Sequence, residues 1–432
     1  MKAWLVLALV LFGCGDDDTS VDASVAARDA SDARTDASRL DATTESPADA
    51  RTDAAPSEGC PSTEGLTAFE RTLVELPPNT WYEAPSTTMR EVCAPETFGQ
   101  RGVVGCRAVV SAWSGGAYDS LRRRLVVWGG GHDDYWGNEL YAFDLREGRW
   151  SRLTDPTPVP DASVLNQDPM PDGSPISRHT YDGVEYLTHL DALFGHGGSR
   201  ARDGSGTDQT WLFDFETATW RTRSPARSNY SQAVAYDAER RQVFVRRAES
   251  FAIYDVDADT WREVPGFGTP PLWPRYAVGG DKTGAFDPTR NLFWSVGSGD
   301  VLVWDAEADA MVTDAWVTTG GGDYSNADRV GAREDQRFES GGGDVYDANA
   351  PGFDYDVRAD AFVAWPNEGA PRILDLTTRT WTLGSAEGAP TSTTSGGTYG
   401  RFRYVEAYDV FVLVTSVDEN VRFYKHGTAC AR

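Results

Sequence analysis

LYAFDLREGRW (140–150), TWLFDFETATW (210–220), FAIYDVDADTW (251–261), VLVWDAEADAM (301–311) and PRILDLTTRTW (371–381) repeat one pattern. An apolar run ends in an aromatic residue or Leu, an Asp follows, and Trp or Met comes six residues after the Asp (Asp144/Trp150, Asp214/Trp220, Asp255/Trp261, Asp305/Met311, Asp375/Trp381). Alternating apolar runs around a short polar stretch read as strand, turn, strand. The Asp side chain is suited to accept bonds from the N–H groups of the turn. The Trp is a large packing anchor where the outer strand meets the next sheet.

A second hairpin precedes each of these. Its mark is an aromatic–Asp pair before a polar turn and an apolar run: Tyr118-Asp119, Tyr181-Asp182, Tyr236-Asp237, Phe286-Asp287 and Tyr355-Asp356. The two Asp marks of a unit stand 25, 32, 18, 18 and 19 residues apart. FRYVEAYDVFVLV (402–414) is a sixth inner hairpin, with Val405 where the Asp would fall. Two hairpins make a four-stranded sheet, and radial repetition of such sheets is a β-propeller. The all-β reading is therefore six blades starting near 107, 176, 230, 275, 344 and 398, with seven left open by the long stretch 315–345. The sixth blade lacks an outer strand with the Asp-to-Trp spacing. Asn79-Thr80-Trp81-Tyr82 is available to supply it, so the ring would be closed by strands from the two ends of the chain.

Gly129-Gly130-Gly131 follows VVW, and Gly197-Gly198 follows LFGH. Apolar run, di-glycine, aromatic and later Trp together resemble the kelch motif of galactose-oxidase-like propellers, over roughly 107–432. The resemblance implies the fold and leaves function to particular residues. A copper radical oxidase is set aside, because that chemistry needs a Cys cross-linked to Tyr and the available Cys lie at the edges of the domain.

The 432 residues carry 66 acidic against 40 basic side chains, a formal charge of −26, which argues against nucleic acid as a partner. Residues 1–14, MKAWLVLALVLFGC, read as a lipoprotein signal peptide. The apolar run is too short to span a bilayer, and Leu11-Phe12-Gly13-Cys14 resembles a bacterial lipobox with Cys14 lipidated. Residues 15–58 hold twelve acids, four Arg and no aromatic, the composition of a disordered tether. Residues 59–432 would form the propeller. The expected location is outside the cell, at the outer membrane or cell surface, as a monomer. Cys60, Cys93, Cys106 and Cys430 remain for two disulfides; the preferred pairing is Cys93–Cys106 and Cys60–Cys430.

In a propeller, loops between the second and third strands and between blades emerge on one face, and turns within hairpins on the other. The first face collects His132, Tyr135, Asn138 and Glu139 after the second strand of blade 1, and His196 in blade 2. It also collects Arg178, His179 and Tyr181 of ISRHTYD, the expected start of the blade 2 inner strand, with Arg275-Tyr276, Tyr399 and Arg401 at later blades. Three of the five His fall here; His189 and His426 read as structural.

Three functions suit these residue types. The leading one is a ligand-binding face, most plausibly for carbohydrate, with Tyr135, Asn138, Glu139, Arg178, His196, Tyr276, Tyr399 and Arg401 as contacts. A protein partner fits the same fold. The second is a polysaccharide lyase, in which His132, His179 and Tyr181 supply acid–base chemistry and Arg275 neutralises developing charge. The third is a metal site. Three His are enough for zinc, but with no His-x-His or His-x-x-x-His pair no metal ligand is assigned. Calcium in the Gly/Asp-rich loops 320–328 and 341–349 matches no fixed ligand spacing.

Overall fold

The computed structural model describes residues 63–227, 230–247, 250–265, 281–298, 300–312, 345–346, 348–391 and 396–427. Cys14, the tether, Cys60, Cys430, Arg275, Tyr276, the loop 320–328 and most of 341–349 lie outside the described residues.

Among the described residues, six four-stranded antiparallel sheets are present, as the repeat predicts. From the axis outward, blade 1 is Gly115–Asp119, Arg124–Trp128, Tyr141–Asp144 and Arg149–Arg152. Blade 2 is Val184–Leu187, Ala192–His196, Thr210–Asp214 and Thr219–Arg223. Blades 3, 4 and 5 have inner strands Ala233–Asp237, Thr283–Asp287 and Gly352–Asp356. Blade 6 is Phe402–Val405, Val410–Leu413 and Arg422–Lys425, completed by Thr80–Glu83 from the N-terminal side. Trp81 faces Tyr424 across that seam, so strands from both ends of the chain close the ring as expected. Each inner strand neighbours those of the two adjacent blades, all the way round.

The core is divided among the gaps between sheets. Trp128, Val126 and Ala142 of blade 1 pack with Val184, Leu193 and Phe213 of blade 2. Phe244 and Ile253 of blade 3 meet Phe293 and Trp304 of blade 4. Leu125 and Tyr141 of blade 1 meet Val412 and Phe423 of blade 6, completing the ring. Full burial of one such side chain is worth about 1.5–3 kcal/mol, so the ring is held by many equal contributions rather than by one centre.

The repeated spacing has a local cause. In each outer hairpin the residue before the Asp sits opposite the Trp or Met, as in Phe143 opposite Trp150 and Tyr254 opposite Trp261. The Asp carboxylate caps the turn: Asp144 accepts from the N–H groups of Arg146 and Glu147, and Asp375 from those of Thr377 and Thr378. The fourth residue after the Asp is left-handed in all five, φ 51–65° at Gly148, Ala218, Asp259, Asp309 and Arg379. The Trp leans on the preceding sheet, not on the next one as the sequence reading had it: Trp220 stacks on Trp128 at 4.8 Å and Trp261 on His196 at 4.5 Å.

Blade 2 differs from the reading in a second way. Arg178–His179 do not belong to its inner strand but pair with Ser199–Arg200 as a separate small sheet. The inner-turn mark is Tyr186-Leu187, five residues later than Tyr181-Asp182, because Tyr186 opposes Leu193 next to the turn. The Cys93–Cys106 disulfide is present, with Cα atoms 6.0 Å apart.

Candidate functional site

Counting back six residues from the inner-turn marks (Asp119, Leu187, Asp237, Asp287, Asp356, Val405) gives Trp113, Tyr181, Ser231, Asp281, Ala350 and Tyr399. One comes from each blade, and together they form a collar at the start of the inner strands. All but Asp281 have a left-handed backbone, with φ between 44° and 56°. That conformation is costly for Trp and Tyr and persists only where the surroundings enforce it. Here they do. The N–H of Tyr181 donates to the carbonyl of Trp113 at 2.6 Å, that of Ala350 to Asp281 at 2.9 Å, and that of Tyr399 to Ala350 at 3.3 Å. Ser231 Oγ donates to Asp281 at 2.6 Å, and the Tyr181 and Tyr399 rings meet edge-on at 6.1 Å.

Beside the collar, the glycine-rich loop of blade 1 folds into a tight turn. Gly131 N–H donates to the Tyr135 carbonyl at 2.7 Å, and Asp134 N–H to the Gly131 carbonyl at 3.0 Å. Ser177 Oγ accepts from Gly131 N–H at 2.8 Å and donates to the Tyr135 carbonyl at 2.9 Å, pinning the turn against Arg178–His179. Gly131 has φ +76°, and a Cβ there would lie 2.2 Å from the backbone of Arg178 and His179, so only glycine fits. His132, at φ 44°, has its carbonyl held by the N–H of Arg202.

These devices bring distant residues together. His179 Nε2 is 3.0 Å from Asp134 Oδ2; a carboxylate only accepts, so Nε2 carries the proton in this arrangement. The His132 ring lies 5.7 Å from that of His179, Tyr181 lies 6.0 Å from it, and Trp113 stacks on it at 5.1 Å. His179 is buried, His132 is exposed, Trp113 is 37% exposed, and Tyr230, 6.5 Å from Tyr181, is 58% exposed. Burial lowers the pKa of His179 below its ordinary value against the pull of Asp134, so the ring is neutral at pH 7. Burial raises the pKa of Tyr181, with the Asp281 charge adding to it, and the phenol stays protonated.

Of the four residues assigned catalytic roles, His132, His179 and Tyr181 therefore meet, and Arg275 lies outside the described residues. The assigned contact residues mostly turn inward. Tyr135 and Tyr141 both donate to Glu139 at 2.6 Å in the interior, where burial raises the Glu139 pKa. Arg178 is buried on Asp168 at 2.9 Å and over the Trp128 ring. His196 stacks under Trp261 and accompanies Thr210; burial, then the charges of Arg247 and Arg178, hold its pKa well down. Arg401 donates to the carbonyls of Ser114, Val414 and Gly397, and Tyr399 is fully buried in the collar. Asn138 spends its amide on Thr157 and Pro175 and borders a concavity of about 400 Å³ with Asp172, Ser174 and Trp220; neither His132 nor His179 lines it.

The sequence reading missed Trp113, Tyr230 and the role of Asp134. Trp113 had a usable signal, its six-residue offset from Asp119, which the repeat makes equivalent to Tyr399, six residues before Val405. It also missed a network in the interior. Arg403 of blade 6 pairs with Glu185 of blade 2 at 2.7 Å, beside Asp354 of blade 5. Asp182 Oδ2 accepts from the N–H groups of Val234 and Gly284, tying blade 2 to blades 3 and 4. Burial pushes its pKa up to about 8, with Arg403 opposing.

No family model matches the chain, and no curated protein matches it in sequence. Among solved structures, a chain from a crystal structure of the mitotic checkpoint complex aligns over 91% of this chain and 98% of its own length, at 12% identity and a TM-score of 0.42. At that level the likeness carries no argument about function. The six four-stranded blades themselves carry the fold-level resemblance to kelch-like propellers.

Proposed function

We propose that the protein is a recognition module. Its collar face on blades 1 and 2 binds an extracellular ligand of the carbohydrate class, with the chain exported and anchored through Cys14. One observation carries this reading. Trp113 is held part-exposed, in a strained left-handed backbone, stacked on a His179 that Asp134 orients. An aromatic face backed by fixed polar groups suits a sugar ring, which offers C–H surface on one side and hydroxyls at its edge. Tyr230 offers a second exposed ring close by, and His132 an exposed polar edge.

A lyase reading has its own support. The ring of a neutral His179 lies 5.7 Å from that of His132 and 6.0 Å from that of a protonated Tyr181, which are the residue types of a base and an acid. The acidic surface works against an anionic polysaccharide.

One experiment separates these readings. The purified chain is incubated with neutral and acidic polysaccharides while retention and the ultraviolet absorbance of unsaturated sugar ends are followed. Retention without absorbance, lost in Trp113→Ala, supports the module. Absorbance that rises with the wild type and is lost in His179→Ala overturns it in favour of the lyase. Neither signal on any saccharide points to a protein partner instead.

A further inference from the structure

We propose that His132, Asp134 and His179 form a binding site for a divalent late first-row transition ion of the zinc class. The site shares these residues with the ligand-binding face, but the proposal does not depend on that reading, because it is argued from donor atoms and their support alone. One ligand atom from each residue lies within 4.8 Å of the other two. Ligands about 2.0–2.1 Å from a tetrahedral zinc are separated from one another by about 3.3 Å. His179 Nε2 and Asp134 Oδ2, 3.0 Å apart, already stand at nearly that edge length. The ion takes the place of the hydrogen between these two atoms, and the ring proton moves to Nδ1. His132 is exposed, so its ring closes the remaining distance by a side-chain rotation.

The support is unusually firm for loop residues. His132 and Asp134 share the tight 131–135 turn, His179 sits in a paired strand, and Ser177 Oγ bonds to both ends of the turn. Gly204 lies against the His132 ring, where a Cβ would come within 2.7 Å of it, so the 199–206 loop limits how far that ring can turn. Two imidazoles and one carboxylate form a borderline donor set. It selects a zinc-class ion over calcium or magnesium, which prefer oxygen alone. Three protein ligands leave coordination positions open to water or to a group of the bound ligand.

The test titrates the chelator-treated full chain with Zn²⁺ by calorimetry and with Co²⁺ by visible absorption. Three variants run in parallel: His132→Asn, which tolerates the left-handed backbone, Asp134→Asn, and His189→Gln on the turn face. Circular dichroism confirms that each is folded, and weak sites on the acidic tether are common to all chains. One equivalent should bind, with the Co²⁺ ligand-field bands of an imidazole–carboxylate site. Affinity should fall at least about tenfold in both site variants and hold in His189→Gln. A first equivalent that binds the two site variants as tightly as the wild type, or no saturable equivalent at all, overturns the proposal.

Discussion

The two ends of the inner strands occupy the same register in every blade, yet they differ in what they repeat. At the turn end the chemistry recurs. Asp119, Asp237, Asp287 and Asp356 each accept from turn N–H groups. Arg122, Arg240 and Arg290 each return to their own Asp and reach across to the next blade, at Asp191, Asn291 and Asp360. At the collar end the same count of residues delivers Trp, Tyr, Ser, Asp, Ala and Tyr. Where the mark recurs in blades 1, 3 and 4, its Arg ties the blade to the next one. Variety at the collar end, on a backbone equally constrained, is what gives one part of the mouth a different chemistry from the rest. The comparison teaches that in this fold the repeat locates the site by where it stops repeating.

Substitutions separate the two roles. The largest loss of stability is expected for Trp128→Ala. This fully buried ring fills the gap between blades 1 and 2 under Trp220, and its removal should cost about 3–5 kcal/mol in chemical denaturation. Replacing Cys93 and Cys106 together by Ser should cost about 3 kcal/mol for opening a loop of this length. Asp237→Ala removes a buried acceptor of the Glu239 and Arg240 N–H groups and should cost about 1–3 kcal/mol. Trp113→Ala, at the collar, removes a part-exposed ring stacked on His179 and should cost about 1 kcal/mol.

The interior network predicts a pH dependence. Asp182 has its folded pKa raised to about 8, against about 4 in an unfolded chain. Between those values the folded state binds the extra proton. Stability from this group is therefore present below about pH 4 and lost as pH rises toward 8. Thermal melts from pH 5 to 8 should show a decline in the wild type that is shallower in Asp182→Asn.

Much of the fold was legible because its cause is local. An Asp that caps a turn and a Trp that faces the residue before it fix a spacing that survives in the sequence, down to Met311 standing in for Trp. Even the ring closure through Thr80–Glu83 followed from counting strands. Less of the site was legible. Residue type and face drew His132, His179 and Tyr181 together, and the His132 and Tyr181 rings lie within about 6 Å of the His179 ring. The same two signals also drew in Tyr135, Glu139, Arg178, His196 and Arg401, whose side chains satisfy buried partners that the sequence does not display. Asp134 was passed over because its partner, His179, is 45 residues away and meets it only through the small sheet that Arg178–His179 forms with Ser199–Arg200. Tyr181-Asp182 was misread as a turn mark because an aromatic–Asp pair looks the same whether the Asp caps a turn or ties three inner strands together.

The most direct measurement of the central claim is the saccharide affinity of the wild type beside two variants at opposite ends of blade 1. One is Trp113→Ala at the collar. The other is Arg149→Ala, an exposed side chain on the outer hairpin of the turn face. At least a tenfold loss, about 1.4 kcal/mol, is expected in the first and no change in the second, with both chains folded. Equal affinity in all three, or a loss confined to Arg149→Ala, would contradict it.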